Sequence, residues 1–203
     1  MKTFYKIISI LFQPILLPTY GMLLMMQIPL FANNFPFYWK AYAVGGTFLF
    51  TGLLPAIPVL IMYFKKQISN LFISNREERT LPYLFSFLAY LFWGLFLLRT
   101  MRLPLFIASV GFGSALSIII ITFINTKWKI SAHLTSMGGF TGGVFGICYR
   151  FALNPVWLFV VVLFVSCLSA IARIGVKAHT PMQTLAGFVV GFLCTFIPVM
   201  ILK

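Results

Sequence analysis

The stretch Ala172-Arg-Ile-Gly-Val-Lys-Ala-His-Thr-Pro-Met-Gln183 separates two long apolar runs. It sets Arg173, Lys177, His179 and Gln183 at a boundary between hydrocarbon and water. Ionisable groups at such a boundary are costly to keep, so they are functional candidates by default. Two other polar stretches accompany it. Residues 127–133 hold the chain's other histidine, His133, and residues 76–82 hold Arg76 and Arg79. The three stretches are expected to meet on one face of a helical membrane protein and to hold a phosphate.

Composition sets the frame. Of 203 residues, 61% are hydrophobic and 8% charged. A soluble domain carries about 25% charged residues, so this chain needs an apolar solvent. It is read as one integral membrane domain over residues 1–203, with the lipid bilayer as its first partner. The net charge of +13 does not point to nucleic acid, because the cations sit singly or in pairs between apolar runs. Anionic lipid headgroups fit that spacing better. Glu77 and Glu78 are the only carboxylate side chains, which argues against a two-metal carboxylate site. No metal or cofactor is expected. Cys148, Cys167 and Cys194 lie inside apolar runs and read as small buried residues.

Seven apolar runs cover residues 7–31, 42–64, 83–98, 105–124, 131–149, 156–171 and 180–202. A crossing helix needs about 20 residues. The expected fold is therefore all-α, a polytopic bundle of six to seven transmembrane helices. Pro14 and Pro18 interrupt the first run, which is expected to be kinked or partly interfacial. Phe37, Tyr38 and Trp39 with Lys40 read as an interfacial loop.

Glycines 138, 139, 142, 143 and 146 in the fifth run, with 187 and 191 in the seventh, predict close packing of those two helices. Those helices begin beside His133 and His179, so packing them brings the histidines together. Counting spans puts all three polar stretches on one face. The fifteen Lys and Arg divide ten to five in favour of that face. Without Arg76, Arg79, Arg173 and Lys177 the division is six to five, so the membrane side of the site stays open.

The residue types specify a chemistry. Arginine offers a planar fork that matches phosphate oxygens. Three arginines and only two glutamates leave room for an external anion. Ser131 opens a helix, so its hydroxyl and the neighbouring N–H groups can point at that anion. His179 and Gln183 are four apart on one helix and can touch. The glutamine carbonyl can then orient one ring nitrogen and aim the other at phosphorus. His133 can protonate the leaving oxygen.

In this pattern the chain resembles the type 2 phosphatidic acid phosphatases, membrane enzymes that share their site with vanadium haloperoxidases. The family's third motif is Ser-Arg, five residues, His, three residues, Asp. Arg173, His179 and Gln183 keep that spacing, with Ala172 for the Ser and Gln183 for the Asp. The second motif, Pro-Ser-Gly-His, is here Ile130-Ser131-Ala132-His133. Of the first motif, Lys, six residues, Arg-Pro, only Arg79 with a displaced Pro82 remains, and Arg76 stands in for the lysine.

The resemblance implies a phosphatidic-acid-phosphatase-like bundle and metal-independent hydrolysis of a lipid phosphate or diphosphate. It gives His179 the role of nucleophile and His133 that of general acid. Arg173, Arg79, Arg76 and Ser131 would bind phosphate. The implied substrate is an anionic phospholipid or a polyprenyl phosphate, and the implied setting a bacterial inner membrane. Gln183 departs from the family. In serine-protease triads an Asp-to-Asn change costs about 10⁴ in rate, because the amide donor favours the wrong tautomer. The alternative reading is a non-catalytic relative that binds lipid phosphate or acts as a membrane subunit. A transporter is a weaker third, since no inverted repeat or midplane charge is found. The oligomeric state is not legible.

Overall fold

The computed structural model describes residues 2–71 and 73–203, and every regular element among them is helical. The first apolar run is cut into α1 (Lys2–Leu11), α2 (Leu17–Met25) and α3 (Pro29–Asn34). Proline explains the cuts. It has no N–H to donate and its ring clashes with the preceding turn. Pro18 and Pro29 stand in the first turns of α2 and α3, where a missing donor costs nothing.

The aromatic cluster Phe37-Tyr38-Trp39, expected as a loop, instead opens α4 (Phe37–Phe48). Lys40 Nζ ties that turn to the Ala32 carbonyl at 2.7 Å. A π-helical turn, Leu49–Leu53, carries α4 into α5 (Leu54–Phe64). Pro55 lies just beyond that turn. Its ring would collide with the Thr51 carbonyl in a regular helix, and the widened turn lets the chain continue.

A 3₁₀ turn, Glu77–Arg79, leads into α6 (Thr80–Leu95), and a π-helical turn, Phe96–Thr100, prolongs it. There follow α7 (Leu105–Lys127), α8 (Ala132–Arg150), α9 (Val156–Gly175) and α10 (Pro181–Ile201).

Five helices among the described residues are long and apolar enough to cross a membrane: Phe37–Phe64, Glu77–Thr100, Leu105–Lys127, Val156–Gly175 and Pro181–Ile201. Two of the seven expected runs fall outside that set. The first is broken by proline. The fifth forms α8, a helix of 19 residues. Glycine, serine and threonine dilute its apolarity, and they are affordable because α8 packs against protein. Its Thr135, Met137, Gly138, Gly142 and Gly146 are all buried. The outer helices show the reverse. Trp157 is 82% exposed, Phe123 70% and Phe164 62%. Water does not tolerate apolar surface on that scale, whereas hydrocarbon does. This is the surface of an integral membrane protein.

The seam of α8 with α10 positions the site. The two helices run parallel, and glycine lets their backbones touch. A Cβ on Gly138 would stand 2.0 Å from the Phe188 carbonyl oxygen, and one on Gly191 1.8 Å from that of Thr135. Gly142 and Gly187 are similarly closed. Thr195 Oγ1 adds a bond across the seam to the Gly139 carbonyl at 3.0 Å. The expected packing is thus found, and its parallel sense brings both N-termini to one end of the bundle.

Candidate functional site

Arg173 lies in the last turn of α9, and that helix ends in a Schellman turn. Ala178 N–H donates to the Arg173 carbonyl at 3.1 Å, and Lys177 N–H to that of Ile174 at 2.9 Å. His179 N–H reaches the same Arg173 carbonyl at 3.4 Å. Lys177 takes the left-handed position of the turn, with φ 55°. Thr180 then caps α10 in a capping box with Gln183. The Arg-to-His-to-Gln spacing is therefore a helix end, a fixed turn and a helix start in succession. Each residue is held by main-chain hydrogen bonds, not by a loose loop.

Gln183 has two tasks. Its Oε1 accepts from Thr180 N–H at 3.1 Å and lies 3.2 Å from His179 Nδ1. A backbone N–H can only donate, so the capping box pins the amide with its oxygen toward the ring. The His179 Nδ1 must then carry the hydrogen, and Nε2 keeps a free lone pair. The tautomer hazard expected of an amide at this position is removed by the helix cap.

Arg79 is buried and held by carbonyls from two connecting segments. Its Nε donates to Ile73 at 2.9 Å and its Nη1 to Ile130 at 3.2 Å. Ile73 offers that carbonyl from a left-handed conformation, φ 47°, which is strained for a β-branched residue. Arg173 is 9% exposed, and its Nε has no hydrogen-bond partner. A buried cation with an unmade bond is expensive. Glu78 does not relieve it. That carboxylate accepts from Ser69 N–H at 3.0 Å and from Asn75 Nδ2 at 2.7 Å, holding its own loop together.

The two histidines share this end. His133 lies within electrostatic reach of Arg173, His179 and Arg79. Its Nε2 sits 3.2 Å from the Ser9 carbonyl in α1, so Nε2 carries the hydrogen. His179 is buried, and burial pushes its pKa down to about 3, with Arg79, Arg173 and Lys129 adding to the push and Gln183 opposing it. The ring is therefore neutral at pH 7. Ser131 is fully buried as the N-cap of α8. Its Oγ accepts from Leu134 N–H at 3.4 Å, and its N–H donates to the Gln183 carbonyl at 3.3 Å. The hydroxyl hydrogen stays available.

Arg76 is half-buried at the start of the turn that carries Arg79. Its carbonyl accepts from Asn125 Nδ2 at 2.9 Å, and it is not among the cations acting on either histidine. Lys129 is. Burial first, then Arg79 and Arg173, lower its pKa. Like the other cations set between apolar runs, Lys129 fits lipid headgroups when read from the sequence. The signal that could have found it is its position two residues before the helix cap Ser131. Among the described residues no three His, Cys, Asp or Glu side chains gather. In comparisons with known proteins the chain matches no family model, no curated protein and no solved structure.

Proposed function

We propose that this end of the bundle binds the phosphate of a membrane lipid and hydrolyses it, in a phosphatidic-acid-phosphatase-like helical bundle of the bacterial inner membrane. One observation carries the reading: Arg173, nine-tenths buried, keeps an unpartnered Nε beside Arg79 and a neutral His179. A tetrahedral dianion would complete the hydrogen bonding of both guanidinium groups. Lys129, the hydroxyl of Ser131 and the first N–H groups of α8 would add to the cradle.

The chemistry follows from the tautomer. His179 Nε2 attacks phosphorus, the bond from phosphorus to the leaving oxygen breaks, and a phosphohistidine forms. The proton that the leaving oxygen needs comes from His133, which takes up a second proton when the phosphate's negative charge lies beside it. Water then attacks phosphorus and gives a proton to His133, the bond from His179 Nε2 to phosphorus breaks, phosphate leaves, and both rings are regenerated. The arginines stabilise the charge on the transferring group.

A second reading has its own support. His133 Nε2–H is held by the Ser9 carbonyl, so the general acid is engaged elsewhere until α1 shifts. A protein that only binds lipid phosphate would look the same. Phosphate release from the detergent-solubilised protein separates the two. His179→Ala is expected to abolish release, by a factor of about 10³ or more. Equal release by wild type and variant rejects hydrolysis at His179.

A further inference from the structure

The end of α1 supplies the carbonyl that occupies His133. Ser9 lies in the last turn of α1, and its oxygen sits 3.2 Å from His133 Nε2. The broken helix leaves that oxygen free. Gln13 N–H, four residues on, donates to Ile10 at 3.3 Å instead, and the next residue, Pro14, has no N–H.

α1 is seated lightly. It packs on α9, where the Tyr5 ring covers Gly175, two residues after Arg173. Among the described residues, the bond to His133 is the only hydrogen bond between α1 and the helices from α4 onward. The seat also leaves bonds unmade. Ser9 Oγ is buried without a partner, and so is Ser169 Oγ on α9. A buried hydroxyl with no partner penalises the arrangement that buries it. Moved to water, the Ser9 hydroxyl makes its bond.

The chain below α1 is built to stay in place while α1 moves. Residues 12–16 are not helical. Among them, the Pro14 carbonyl accepts from Tyr90 on α6 and from Ser136 on α8, each at 3.3 Å. Tyr20 Oη donates to the Leu11 carbonyl at 3.2 Å, beside that fixed point. The outer face of α1 already carries exposed Phe4, Ile7, Ile10 and Leu11. Its inner face adds Tyr5 and Ile8, which hydrocarbon accepts as readily. Leaving the seat therefore exposes little that a bilayer rejects.

We propose that α1 is an autoinhibitory latch, closed in this structure, that frees His133 by swinging about Pro14. This rests on the reading of His133 as the general acid of lipid-phosphate hydrolysis. It makes turnover depend on the balance between a closed and an open α1.

Two variants of α1 are expected to act with opposite sign on phosphate release by the full chain in detergent, with dioleoyl phosphatidic acid and a polyprenyl diphosphate as probes. Tyr5→Ala removes the ring from Gly175 and is expected to raise release about fivefold or more. Ser9→Ala keeps the carbonyl, removes the unpartnered hydroxyl, and is expected to lower release by about the same factor. If Tyr5→Ala does not fold, Gly175→Ala presses on the ring from α9, with a Cβ 2.5 Å from it, and is expected to raise release likewise. A second readout is maleimide labelling of Ser9→Cys, with the three native cysteines changed to alanine. Adding Tyr5→Ala is expected to speed that labelling. Release that falls or holds in Tyr5→Ala makes the Ser9 carbonyl a support for the ring and overturns the latch. Release that rises in Ser9→Ala, or labelling that Tyr5→Ala leaves unchanged, also overturns it. Faster labelling, with no phosphate released from either lipid by any form of the protein, upholds the moving helix and rejects hydrolysis.

Discussion

Arg150 and Arg173 are both last-turn arginines, at opposite ends of the bundle, and they are treated differently. Each follows a helix whose C-terminal dipole favours a cation. Arg150 Nη1 donates to the Met200 carbonyl at 3.2 Å, and its guanidinium lies 4.6 Å from the centre of the Phe106 ring. It closes the far end of α10 and has found its partners within the chain. Arg173 is the more buried and has an Nε with no partner. The contrast separates a cation that builds the fold from one whose bonding the fold leaves incomplete.

Substituting each arginine breaks the comparison most directly. Arg173→Ala is expected to lower phosphate turnover by about 10² or more, the scale for losing one preorganised donor, with little loss of thermal stability. Arg150→Ala is expected to keep turnover and to lose about 1.5–3 kcal/mol of stability, the worth of a charged hydrogen bond. Phosphate release and thermal denaturation in detergent read both. Equal effects of the two variants on turnover would erase the distinction.

Gln183→Glu sharpens the account of His179. Glutamate keeps the length that the capping box needs and supplies the charge that glutamine lacks. Turnover is expected to rise by about tenfold or more, toward the value of a charged orienting group. A fall would show that the neutral amide is part of the working site.

The acidity of His179 gives a pH test. Its folded pKa is pushed down to about 3, below the roughly 6.5 of the unfolded chain. The acid limb of kcat/KM is therefore expected well below pH 6.5, and the need for a protonated His133 makes kcat/KM fall as pH rises beyond its optimum. Stability has the same sign. Between those values the unfolded state binds more protons, so the contribution of His179 is fully present above about pH 6.5 and is lost as pH falls toward 3. A limb at an ordinary histidine value would place the ring in open water.

The smallest effect concerns the turn between Arg173 and His179. Lys177 sits at φ 55° where glycine is at ease. Lys177→Gly is expected to stabilise by about 1 kcal/mol, read as a rise in melting temperature, with turnover unchanged. A loss of turnover would give the Lys177 charge a part in the site.

Much of this arrangement is legible in one dimension. Glycines at four-residue spacing in the fifth and seventh runs announce a close seam, and Gly138, Gly142, Gly187 and Gly191 form it. His179 and Gln183, four apart, touch as helical geometry requires. Less legible was Lys129, since a lysine beside Trp128 looks like any interfacial cation. The aromatic run 37–39 was misread for a related reason: an interfacial loop and the first turn of a membrane helix have the same composition.

Composition and periodicity alone determined that the chain is helical, needs a hydrocarbon solvent, and carries its scarce polar groups at helix ends, because those properties are sums over neighbouring residues. Only the tertiary structure decided that α8 and α10 run parallel with both histidines at one end. It also decided that the Thr180 cap turns the Gln183 oxygen to the ring, and that Ser9 occupies His133. These depend on distances between residues far apart in the chain or on the rotation of a single side chain. Neither quantity leaves a trace in residue order.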